Sequence, residues 1–149
     1  MTRSRSADIV VNADPTTVFD VLADPAQHCL FDGSGSVKGQ LSGPPRLYLG
    51  AKFAMRMQIG APYLTRNRVV EYDEDRRIAW RHFARHIWRW ELEPVEAGTR
   101  VIETFDYRPA PGATVYERLG LPSRNERAIE ASLQRLKVLV ESRTATASS

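Results

Sequence analysis

From residue 51 to residue 108 the chain alternates apolar and polar side chains with a period of two, broken only by short turn-like segments. Phe53, Met55, Met57 and Ile59 share one face of a strand, and Lys52, Arg56 and Gln58 share the other. Ala61-Pro62 reads as a turn, residues 63–72 as a long strand and Asp73-Glu74-Asp75 as the next turn. Ile78, Trp80 and His82 then alternate with Arg77, Ala79 and Arg81, and His86, Trp88, Trp90 and Leu92 alternate with Arg85, Ile87, Arg89, Glu91 and Glu93. After a hairpin turn at Ala97-Gly98, Val101, Glu103, Phe105 and Tyr107 oppose Arg100, Ile102, Thr104, Asp106 and Arg108. Long strands joined by short turns make an antiparallel meander with one apolar face.

Such a face has to be covered, and only the C-terminal segment is long enough to do it. Ser123 and Glu126 fit a capping box opening a helix that runs to about residue 142. Ile129, Leu133, Leu136 and Val140, spaced four, three and four apart, form one helical stripe. Ahead of the meander, residues 6–12 read as a strand. Asp14-Pro15 and Asp24-Pro25 each pair an N-cap with a proline suited to the first helical position, predicting two short helices, to about residue 23 and over 26–31. Gly33, Ser34 and Gly35 form a helix-to-strand connection; the spacing to Gly39 resembles a phosphate loop only superficially, because no strand precedes it and no helix follows. Residues 37–41 fit a short strand. Residues 109–112 end the sheet, 114–119 fit a short helix closed by Gly120, and the tail 143–149 is expected to fray.

With 149 residues the chain suits one domain, with a core over 6–142. A single cysteine makes no internal disulfide, no Cys/His cluster has zinc-ligand spacing, and the apolar runs are far too short to span a membrane. Residues 1–7 carry charge without an apolar core behind it, so no secretory signal is read and a cytoplasmic protein is expected. Of the 21 basic residues 18 are arginine, and Arg66, Arg68, Arg76, Arg77, Arg81, Arg85 and Arg89 crowd one stretch. Arginine clusters raise nucleic acid as a partner. Alternation, however, sets Arg77, Arg81, Arg85 and Arg89 on the outward stripe with Glu91 and Glu93, where opposite charges pair across strands. A solvated convex face therefore fits better than a nucleic-acid groove. The face taken by Arg66 and Arg68 is ambiguous, and one of them reaching inward would serve as an anion anchor.

The segments 7–25 (ADIVVNADPTTVFDVLADP), 69–81 (VVEYDEDRRIAWR) and 90–107 (WELEPVEAGTRVIETFDY) resemble the START-related superfamily known as SRPBCC, or birch-pollen-allergen-like, in its polyketide cyclase/dehydrase-like branch. The resemblance covers nearly the whole chain. It implies an α+β helix-grip fold: a curved antiparallel sheet of six or seven strands around a long C-terminal helix, with two short helices after the first strand. It also implies a cavity between sheet and helix. Lipid-transfer proteins, hormone receptors and aromatase/cyclases all belong to that superfamily, so the fold names a cavity rather than a reaction.

The inward stripes supply Phe53, Met55, Met57, Trp80, Trp88, Trp90, Phe105 and Tyr107 as the expected lining, with Ile129, Leu133 and Leu136 from the helix and Tyr116, Leu119 and Leu121 as a rim stiffened by Pro109, Pro111 and Pro122. Aromatic and methionine side chains suit a flat or flexible apolar ligand, although each alone also suits a plain core. His82, His86 and Glu103 fall on the same stripe beside tryptophans. Burial raises a carboxyl pKa and lowers an imidazole pKa, bringing either group toward proton transfer. With Tyr107 or Tyr116 they form the acid/base set a cyclase or dehydratase requires; the plain alternatives are hairpin-end histidines in solvent and a glutamate paired to an arginine. Cys29 reads as an inert thiol, and Asp32 as a turn residue. Two functions lead, carriage of a small apolar molecule or cofactor-independent cyclase or dehydratase chemistry, and an RNA- or membrane-surface module using the arginines is the third reading. No metal and no membrane insertion are expected.

Overall fold

The computed structural model describes residues 3–82, 85–108 and 112–147, the side chains of 116, 146 and 147 excepted. Seven antiparallel strands form one curved sheet: β1 (Ser4–Val11), β2 (Val37–Ser42), β3 (Lys52–Ile59), β4 (Ala61–Asp73), β5 (Arg77–His82), β6 (Ile87–Val95) and β7 (Gly98–Asp106). Their order is β1-β7-β6-β5-β4-β3-β2, so every strand neighbours its successor except β1, which pairs with β7. Between β1 and β2 come α1 (Pro15–Leu22), one turn of 3-10 helix (Pro25–Gln27) and α2 (His28–Phe31). After β7 come α3 (Ala113–Arg118) and α4 (Leu121–Ala147). Among the described residues no helix is long and apolar enough to cross a membrane.

Local chemistry explains the short helices. The Asp14 carboxylate accepts from Thr17 N at 2.8 Å and Asp24 from Ala26 N at 3.1 Å, capping helices that each begin on proline. The helix expected over 26–31 is in fact two pieces, the 3-10 turn and α2.

α4 lies across β1 and β7 and buries Ile129, Leu133, Leu136 and Val140 completely or nearly so. Each such side chain contributes roughly 2 kcal/mol of hydrophobic stabilisation. The helix begins two residues before the expected cap, with Ser123 and Glu126 already inside it; Glu126 reaches Arg5 on β1 instead of capping. It also continues through Ala147 rather than ending at 142, because Ser142 and Thr144 return their hydroxyls to helical carbonyls three and four residues back.

Two turns differ from expectation. Ala61-Pro62 is not a turn but the start of β4, since Gly60, at φ 72°, lets Ile59 pair directly with Ala61. The β6–β7 turn falls on Glu96 and Ala97, with Gly98 already paired to Val95. A bulge in β4 decides the faces of its arginines. Val69 pairs with Trp80, but Glu71, not Val70, pairs with Ala79. The extra residue reverses the alternation, so Arg66 and Arg68 point outward before it and Glu71 after it, while Thr65, Asn67 and Val69 point inward.

Candidate binding cavity

A cavity of about 380 Å³ lies between the inner face of β3–β7, the α2–β2 connection and the first turns of α4. The apolar wall is Phe31, Phe53, Met55, Met57, Trp80, Trp88 and Trp90. Its mouth is marked by the exposed lining residues Ile59, Tyr63, Ser34 and Arg124. The α2–β2 connection is pinned to α4: Gly33 N donates to Ser132 Oγ at 2.7 Å and Arg135 donates to the Asp32 carbonyl at 2.6 Å. A Cβ on Gly33 would come within 2.4 Å of the Ala128 carbonyl oxygen, so only glycine permits this approach. The Asp32 carboxylate accepts from Ser34 N, Ser34 Oγ and Val37 N, which makes it the organiser of that turn as well as a cavity residue.

Not every expected lining residue reaches the cavity. Phe53, Met55, Met57, Trp80, Trp88, Trp90 and Leu121 do. Phe105, Tyr107, Ile129, Leu133 and Leu136 are packed in the core instead, because α4 sits directly on β1 and β7 and leaves no space there. Phe105 packs against Trp88 and stacks on Tyr107 at 5.6 Å. Of the expected rim, Leu119 is exposed and away from the cavity, and Pro122 is buried in the first turn of α4. Pro109, Pro111 and the Tyr116 side chain lie outside the described residues. Arg66 and Arg68 do not enter the cavity, since the β4 bulge turns them outward.

His82, His86 and Glu103 all line it. The two imidazoles stack 4.6 Å apart across the β5–β6 connection, with His86 also against Phe105. Desolvation pulls His82 down to about 4 and His86 to about 3, the latter helped by the neighbouring His82 charge. Both rings are therefore neutral at pH 7. Glu103 is buried, and desolvation, reinforced by the Asp32 carboxylate, raises its pKa well above the ordinary value. Glu103 stands directly opposite Trp90 in the β6–β7 register. Glu103 Oε1 and Trp90 Nε1 are both buried with no hydrogen-bond partner among the described residues.

Sequence reasoning passed over His28, Thr65 and Asn67, which also line the cavity. His28 stacks on Trp80 at 4.8 Å and meets Phe31 and Phe53 edge-on. Its Nε2 lies 2.9 Å from the Leu22 carbonyl, which only accepts, so the proton sits on Nε2. Burial lowers its pKa to about 4. Thr65 and Asn67 carried a readable signal, because they alternate with Arg66 and Arg68, whose charges belong in solvent. His28 carried none, because a four-residue helix has no periodicity to assign a face. Cys29 is half-buried, its Sγ 3.8 Å from the Ala26 carbonyl. Among the described residues no group of three or more His, Cys, Asp or Glu side chains is placed to hold a metal.

Comparison with known proteins agrees with this geometry. The family model described as polyketide cyclase / dehydrase and lipid transport matches residues 2–141. The uncharacterized protein Rv0088 of Mycobacterium tuberculosis is 38% identical over 137 residues, covering 88% of this chain and 61% of the relative. The chain thus spans about three fifths of the length of the curated relatives it matches. Among solved structures, protein NE0264 from Nitrosomonas europaea superposes with a TM-score of 0.73 at 15% identity, covering 95% of this chain and 96% of that one. Protein Ms6760 from Mycobacterium smegmatis gives 0.72 at 15% identity, with 95% and 93% covered. At such identities the likeness is one of fold.

Proposed function

Because the chain belongs to the polyketide cyclase / dehydrase and lipid transport family, we propose that it takes up a small, largely apolar molecule bearing one polar oxygen. The observation that carries this reading is the pair of unpartnered polar groups, Trp90 Nε1 and Glu103 Oε1, side by side in an otherwise aromatic wall. A buried polar group without a partner costs about 1–3 kcal/mol. Burial favours the protonated form of Glu103, and in that form the carboxyl and the indole each offer a donor to a ligand carbonyl or hydroxyl oxygen. The volume falls within the roughly 300–1,000 Å³ of small-molecule sites.

All three tryptophans of the chain line the cavity, so their fluorescence reports its occupancy. Titration with 2-acetylnaphthalene and with 2-ethylnaphthalene compares ligands with and without the carbonyl. The acetyl compound should quench at about tenfold lower concentration, and Glu103→Leu should remove that preference. Equal binding of the two by the unaltered protein, or no quenching at all, overturns the reading.

A second reading rests on a specific observation: a buried carboxyl whose protonated form desolvation favours and two imidazoles held neutral line one cavity. That set can protonate a leaving hydroxyl and accept an α-proton, as in aldol cyclisation and dehydration. Here Glu103→Gln and His82→Ala should abolish turnover of a linear polyketone while binding persists. Binding and turnover lost in equal measure count against catalysis.

A further inference from the structure

The outer face of β3, β4 and β5 carries a groove walled by Lys52, Arg66, Arg68, Arg81 and Arg85. Lys52 is directly opposite Arg68, and Arg68 directly opposite Arg81, making a row of three cations across three strands. Neighbouring strands lie about 4.8 Å apart, and like charges directly opposite destabilise a sheet. Among the described residues none of the five has an acidic partner within 4.0 Å. The cause is written in the sequence: between Asp32 and Glu71 there is no acidic residue, while Lys38, Arg46, Lys52, Arg56, Arg66 and Arg68 all fall there.

The same hairpin carries an apolar tip. Ile59, Tyr63 and Leu64 are 53%, 41% and 46% exposed. Leu64 alternates with Arg66 and Arg68 on the outer face, whereas Ile59 and Tyr63 line the cavity mouth. Large apolar side chains beside cations match the boundary between phospholipid headgroups and acyl chains. On the outer face the cations alternate with Ala54 and Leu64, and Phe53, which borders the groove, is buried, so the row presents no exposed aromatic ladder for nucleic-acid bases.

We propose that this face docks onto an anionic phospholipid bilayer, with the β3–β4 hairpin tip in the headgroup layer, so that the cavity mouth, which Ile59 and Tyr63 of the same tip border, lies at the edge of the contact. Docking stands on the cations and the tip; that the membrane is where an apolar molecule is exchanged rests on the reading of the cavity given above. Attraction to an anionic surface adds up over the basic residues and is screened by salt.

The test is co-sedimentation with vesicles of equal parts phosphatidylcholine and phosphatidylglycerol, against vesicles of phosphatidylcholine alone. Binding should require phosphatidylglycerol and fall steeply with added sodium chloride. Arg68→Glu should weaken it about tenfold or more. The same charge change at Arg100→Glu, among paired charges at the other end of the sheet, should alter it far less. Arg68→Glu turns the repulsive row into an alternating one, so the variant should melt no lower than the parent, which separates lost docking from lost folding. Equal binding to both vesicles, or equal loss in the two variants, overturns docking. So does failure to bind either vesicle by a protein that retains a single-stranded RNA oligonucleotide. A protein quenched by 2-acetylnaphthalene that binds neither vesicle refutes docking and leaves the cavity reading; one that docks and is never quenched does the reverse.

Discussion

At the β1–β7–β6 end of the sheet, α4 fills the inner face with Ile129, Leu133, Leu136 and Val140, and the outer face is a lattice of opposite charges. Arg89 forks onto Glu71 and reaches Asp106, Arg77 meets Glu71 and Glu91, and Arg100 joins Asp8 to Glu93. Toward β5, β4 and β3 the inner face borders a cavity, and the outer face carries the row Lys52, Arg68 and Arg81, which has no acidic partner among the described residues. One end is built for stability on both faces. The other leaves apolar surface, the buried Trp90 Nε1 and Glu103 Oε1, and a row of cations without partners among the described residues, which is what a surface for ligands looks like. The buried groups whose protonation desolvation displaces, namely His28, His82, His86 and Glu103, all line the cavity.

Truncation gives the largest contrast. Leu133→Ala should cost about 3 kcal/mol in urea unfolding, because it opens a void in a packed core. Met57→Ala, beside space that already exists, should cost about 1 kcal/mol. Similar losses at both sites would mean that the open end is as tightly packed as the other.

Acid should act next, and from the hollow end. With His28 down at about 4, the unfolded chain takes up the proton first as pH falls below the ordinary value of 6.5. Stability is then lost between pH 6.5 and about 4, by up to about 3 kcal/mol from this residue. Glu103 works in the opposite sense: its pKa is raised, so the unfolded chain releases the proton first and stability falls as pH rises above the ordinary carboxyl value. Across this range His28→Phe should shrink the acid limb of the melting temperatures, the remainder being carried by His82 and His86, and Glu103→Gln should flatten the high-pH decline. Unchanged slopes in both variants would place these groups in water.

The outer face supplies two further effects, of opposite sign. Arg89→Ala leaves the buried Asp106 with only Arg108 and should destabilise by about 2 kcal/mol. Arg68→Glu should stabilise by roughly 0.5 kcal/mol by inserting an acid between Lys52 and Arg81. Thermal melts of the pair test whether the two halves differ in charge pairing; destabilisation in both removes the contrast.

The alternation of residues 74–108 assigned Trp80, Trp88, Trp90 and Glu103 to the inner face, and the structure puts them there. Alternation left the faces of residues 63–72 open, and the one-residue bulge between Val69 and Glu71 settles them, with Arg66 and Arg68 outward. The expected pairing of the arginine stripe holds for Arg77 and Arg89, which have glutamates opposite or diagonal, and fails for Arg81, which stands opposite Arg68, and for Arg85, which lies in the β5–β6 connection beside the same basic groove. The second pattern needed the strand register as well as the face.

Periodicity and capping in the sequence determine which elements form and which way most side chains point, because those depend on neighbours a few residues away. Tertiary structure alone decided that Phe105 and Ile129 would be core while Trp88 and Met57 would border a cavity. All four carry the same apolar signal. What separates them is where a helix that begins fifteen residues after the last strand comes to rest, and a glycine contact at Gly33 that holds the opposite wall against that helix.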